Sequence, residues 1–74
     1  MTRYREMAAA ERARGQAAIE RASKLREEAT HAAFHDTAVE LSRQAAEQER
    51  AVNAHIDAAR RYELLADAEG EPAH

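Results

Sequence analysis

There is no cysteine in this chain. Disulfides and thiolate zinc sites are therefore excluded, and the redox compartment is left open. Tryptophan is also absent, and phenylalanine and tyrosine together contribute three residues. Glycine occurs twice and proline once, so punctuation is confined to Gly15 and to the Gly70-Glu71-Pro72 tail. No charge sign dominates: 11 basic residues face 14 acidic ones, for a net charge of -3. A basic stripe of the kind that binds nucleic acid is missing, so no nucleic-acid partner is expected. No apolar run approaches the ~20 residues that span a bilayer, and no secretion-signal core stands near the N-terminus. The expectation is a soluble, cytoplasmic protein with no membrane partner.

Many charges and few aromatics would suit a disordered chain. The residue types present argue otherwise, because Ala, Glu, Arg and Gln dominate and all favour helix. The preference for arginine over lysine, with abundant alanine, is the pattern of a GC-rich genome and suggests a small bacterial or phage protein. Seventy-four residues allow one domain. Below about 70–80 residues a single core rarely supplies more than ~3–5 kcal/mol. With disulfides excluded, oligomerisation or a partner protein is the expected source of further stability.

Small and apolar residues recur in alternating steps of three and four. The first series runs Tyr4, Ala8, Glu11, Gly15, Ala18, Ala22, Leu25, Ala29, Ala32. The second runs Phe34, Ala38, Leu41, Ala45, Gln48, Val52, His55, Ala59, Tyr62, Ala66. Each is a heptad seam of coiled-coil type. Extending the first past Ala32 meets Asp36, Val39, Arg43, Ala46, Arg50 and Asn53, which are mostly polar, so the phase breaks near residues 33–37. A turn explains that break. Thr37 and Glu40 have capping-box spacing, with Asp36 as the alternative cap. The predicted fold is all-α: an antiparallel two-helix hairpin, with helices over about 3–33 and 38–69, a turn over 34–37 and a short tail over 70–74. Gly70 followed by Pro72 marks the second helix's end.

Folding the chain at residue 35 pairs positions that sum to 70. Tyr4 then meets Ala66, Ala8 meets Tyr62, Glu11 meets Ala59, Gly15 meets His55, and Ala18 meets Val52. Large residues face small ones, which lets two backbones approach closely. On this pairing Gly15 makes room for His55. The second helix carries more apolar surface than one seam consumes, and a stripe that wide contacts more than one neighbour. Ile19, Val39, Val52, Ile56 and Leu65 are the candidate surface for a second copy or another protein, with a four-helix bundle as the expected product.

Three polar residues interrupt the seams: Glu11, Gln48 and His55. Such residues commonly specify register, and a histidine can also make an interface respond to pH. Favourable i,i+4 ion pairs are expected at Glu20–Lys24 and Asp57–Arg61. Near the turn, Glu28, His31 and His35 have spacings that would place nitrogen and oxygen ligands on one helix face. Glu27, Asp36 and Glu40 stand nearby.

Glu28-Ala29-Thr30-His31 resembles the Glu-x-x-His motif of ferritin-like bundles, and the resemblance implies a metal-binding bundle as the alternative function. Small secreted hairpins of the WXG type share the expected architecture. Their Trp-x-Gly turn is missing here, and Ala66 stands where their C-terminal signal needs an acidic residue four positions after Tyr62. The chain is not assigned to that family. No nucleophile elbow or glycine-rich phosphate loop occurs. The primary expectation is a non-enzymatic, cofactor-free interaction or structural module, with a phage or bacterial regulator among its roles, that self-associates or docks on a partner protein.

Overall fold

The computed structural model describes residues 3–72. It is a two-helix antiparallel hairpin, as predicted. Helix α1 spans Tyr4–Thr30 and helix α2 spans His35–Ala68. They pack along their length into a rod of 54 × 16 × 13 Å.

The connection lies earlier than predicted, at residues 31–34. Helix α1 ends at Thr30, where the His31 N–H donates to the carbonyls of Glu27 and Glu28 and the Ala32 N–H donates to Ala29. These shared, tightened bonds satisfy terminal carbonyls without a glycine. Phe34 is extended (φ -116°, ψ 138°) and acts as N-cap of α2, its carbonyl accepting from Ala38. Thr37 is therefore a helical residue rather than the cap. The Glu40 carboxylate is engaged elsewhere, accepting from Arg43 and Gln44. Two charge-assisted bonds to a guanidinium outcompete a single capping bond to a backbone amide. Asp36 falls in the first turn of α2, where its charge complements the positive end of the helix dipole.

The far end of α2 closes with a Schellman motif. Gly70 adopts φ +71°, its N–H donates to Asp67, and the Glu71 N–H reaches back to Ala66. Only glycine enters that backbone region without steric cost. The motif aims Glu71 at the other helix. Its two carboxylate oxygens accept from the N–H groups of Tyr4 and Arg5, both at 3.2 Å. Helix α1 has no side-chain cap from Arg3, so its cap comes from the opposite end of the chain. Arg5 completes the clasp with bonds to the carbonyls of Glu71 and Pro72 and to Asp67.

The seam is built almost entirely from alanine. Ala8, Ala18, Ala22, Ala45, Ala59 and Ala66 are buried, together with Gly15. Gly15 does face His55, as the pairing predicts, but the approach is not extreme. A Cβ at Gly15 would lie 3.6 Å from the His55 Cβ, which is ordinary van der Waals contact. At the open end the small-against-large rule fails. Tyr4 stacks on Tyr62, with ring centroids 6.2 Å apart and planes 19° from parallel. Two half-exposed rings gain from an offset face contact that an alanine partner cannot supply.

Candidate functional site

Helical geometry sorts the candidate residues into a seam and two flanks. Within the seam, Glu11 and His55 meet: Glu11 Oε2 lies 2.6 Å from His55 Nδ1. The other carboxylate oxygen of Glu11 accepts from Arg14 at 2.7 Å. The hydrogen bond from His55, with the charge of Arg14 adding to it, holds the Glu11 carboxyl below its usual value against the opposing effect of partial burial. Gln48, the third polar seam residue, does not join this pair. Its side-chain oxygen accepts from Arg21 Nε at 2.9 Å. No buried side-chain nitrogen or oxygen among the described residues lacks a partner. The polar seam is thus spent on joining one helix to the other.

One flank carries an ion-pair ladder. Arg12 pairs with Glu63, and Arg26 pairs with Glu49, its Nε 2.9 Å from Glu49 Oε2. Each pair bridges α1 to α2. The hydrogen bond between Arg26 and Glu49 lowers the Glu49 carboxyl and raises the Arg26 guanidinium. Arg12, Ile19 and Arg26 stand at heptad spacing on α1, as do Glu49, Ile56 and Glu63 on α2. Residues at that spacing share one flank, so Ile19 and Ile56 occupy the rung between the two ion pairs. Both are exposed, at 46% and 38%. Ile19, Ala22 and Val52 line a shallow groove that Arg26 and Glu49 border. A second groove continues past Arg26 toward the turn, over Ala29, Ala38 and Val39.

Four of the five predicted surface residues, Ile19, Val39, Val52 and Ile56, therefore gather on one side of the hairpin. Leu65 does not. It directly precedes the buried Ala66, as exposed Met7 precedes the buried Ala8, and that offset turns both to the opposite flank. Among the described residues Leu64 and Phe34 are the most exposed large apolar ones, at 69% and 74%.

The Glu28, His31 and His35 set is not assembled. Helix α1 stops before His31 and α2 starts at His35, so the spacings that suit one continuous helix face are interrupted by the connection. Among the described residues no group of three His, Asp or Glu side chains is placed to hold a metal ion. The expected Glu20–Lys24 and Asp57–Arg61 ion pairs are not formed among the described residues either; the local pairs are instead Arg3–Glu6 at the start of α1, Glu11–Arg14, Glu40–Arg43 and Arg43–Glu47.

The interhelical ladder and the Glu71 clasp were not anticipated from sequence. The ladder has a readable signal, since Arg5, Arg12 and Arg26 share one heptad column while Glu49 and Glu63 share another. No helix among the described residues is long and apolar enough to cross a membrane. Comparison with family models, with curated proteins and with solved structures finds no match.

Proposed function

We propose that this protein is a non-enzymatic interaction module, a coiled-coil hairpin whose second layer is supplied by another copy of itself or by a partner protein. The observation that carries this reading is the inverted distribution of apolar side chains. Among the described residues every buried position is alanine or glycine, while Met7, Ile19, Phe34, Val39, Ile56, Leu64 and Leu65 stay exposed. Alanine gains little from burial, whereas each fully buried Ile, Leu, Val or Met contributes about 1.5–3 kcal/mol. The hairpin thus leaves outside the residues that would stabilise it most.

The area agrees. The chain exposes 5445 Å², while a compact monomer of 8.2 kDa exposes about 4500 Å². An alanine seam also suits association, because closely spaced helices form a flat slab that a second layer can cover. The polar seam residues fit a register role: Glu11 and His55 satisfy each other only when the helices align as observed.

Sedimentation equilibrium combined with circular dichroism tests the reading. Helicity and melting temperature are expected to rise with protein concentration through the micromolar range. A monomer at high micromolar concentration, with a sharp melt independent of concentration, would refute self-association. If that monomer also shows no binding to amphipathic helical peptides, the interaction reading itself fails.

A further inference from the structure

We infer that a second copy of this chain docks on the Ile19/Ile56 face about a two-fold axis parallel to the helices, laying α1 over the partner's α2. The inference rests on the interaction reading above and adds the face, the occupant and the symmetry.

The charge pattern selects both occupant and axis. On this face α1 presents Arg12 and Arg26 on either side of Ile19, and α2 presents Glu63 and Glu49 on either side of Ile56. The face is therefore basic along one edge, acidic along the other and apolar at its centre. Two copies can meet face to face about two kinds of in-plane axis. An axis perpendicular to the helices sets α1 on the partner's α1, with Arg12 over the partner's Arg26 and Glu63 over the partner's Glu49. Like charges then oppose like at every rung, which is unfavourable. An axis parallel to the helices sets Arg12 over the partner's Glu63 and Arg26 over the partner's Glu49. Every guanidinium gains a second carboxylate, and the charges alternate around each rung.

The centre of the same arrangement stacks Ile19 and Ile56 on the partner's Ile56 and Ile19. That forms a layer of four isoleucines, with Val39 and Val52 extending apolar contact toward the turn. Neighbouring helices are all antiparallel, as in an up-down four-helix bundle. The long arginine stems lie along the apolar layer while their heads reach the rim. A face of 54 × 16 Å has a footprint of the order of the ~800 Å² per partner that a standard stable interface covers.

The chain has no cysteine, so single introduced thiols report proximity cleanly. Arg12→Cys and Glu63→Cys chains are mixed and oxidised mildly, and a cross-linked heterodimer is expected. Arg12→Cys mixed with Arg26→Cys should remain uncross-linked. A second measurement uses charge. R12E/R26E makes all four ladder charges acidic, and E49R/E63R makes all four basic. Each alone should dissociate at least tenfold more readily than the native chain, and their equimolar mixture should regain the dimer. A 12–26 cross-link, or preferential cross-linking between chains carrying Met7→Cys and Leu65→Cys, overturns the inference while leaving self-association standing. Failure of the mixture to reassociate overturns it in the same way. A native chain that is monomeric at high micromolar concentration overturns the inference and the self-association it rests on together.

Discussion

The Nδ1 atom of His55 lies 2.6 Å from Oε2 of Glu11, a carboxylate on the other helix. This contact ties α1 to α2 at the level of Gly15, inside a seam whose other buried positions are alanine. Alanines slide past one another with little penalty. A polar pair does not, because displacing one partner strands the other in a partly dry position. We therefore expect His55→Leu to lower the melting temperature by a few degrees and broaden the transition. Glu11→Leu combined with His55→Leu should recover the stability but lose the unique alignment, read by cross-linking at paired seam positions. Unchanged alignment in the double variant would show that register is set elsewhere.

Gly15→Ala is expected to stabilise the hairpin. The added Cβ meets His55 at 3.6 Å, a normal contact, and helix-interior glycine costs roughly 0.5–1 kcal/mol relative to alanine. In a domain this small, each kcal/mol moves the melting temperature by about 4–8 °C. Gly15→Leu should do the reverse, since its side chain has nowhere to go but into His55. Thermal melts of the two variants decide the matter.

Overpacking the alanine seam should be costly. Ala18, Ala45 and Ala59 have no accessible surface. Ala45→Leu forces the helices apart, and insertions of this kind commonly cost about 1–3 kcal/mol. Urea denaturation of A45L should show an earlier midpoint, whereas Leu64→Gln, on the outer surface, should leave the midpoint almost unchanged.

The clasp at the open end gives a local readout. Glu71→Ala removes the carboxylate that caps Tyr4 and Arg5, and loss of a helix cap costs about 0.5–2 kcal/mol. Amide exchange at the start of α1 should accelerate while the middle of the helix stays protected. Gly70→Ala, which forces a Cβ into φ +71°, should produce the same pattern by swinging Glu71 away, at a cost near 1 kcal/mol.

Acid should loosen the hairpin. Glu11, Glu40 and Glu49 are held below the usual 4.5, by His55, by Arg43 and by Arg26 respectively, with Glu40 at about 2. A carboxyl lowered in the folded state contributes stability that is present above its unfolded value and lost as pH falls through its folded value. Their contribution is expected to stay level from neutrality down to about pH 5. It should then decline as pH drops below 4.5, the last of it near 2 with Glu40. Melts across pH 7 to 2 test this, and Glu11→Gln should remove part of the slope.

The order of residues alone determined that the chain is helical, that it has two helices, and nearly which positions touch. Heptad spacing is a local property, and the phase break near residue 35 can be seen without coordinates. The pairing of Gly15 with His55 followed from the same periodicity. The structure decided where the chain turns: α2 begins at His35 rather than after Thr37, and Glu40 bonds Arg43 within α2 instead of capping it. The place of Leu65 on the flank opposite Ile56 is legible in the sequence, since the one-residue offset from Ala66 moves a side chain by about 100° on a helix. The structure also decided that Glu11 reaches His55 while Gln48 turns to Arg21, because long polar side chains can reach several neighbours. The Glu71 clasp belongs to the same group. It depends on two chain ends meeting in space, which periodicity within one helix cannot report.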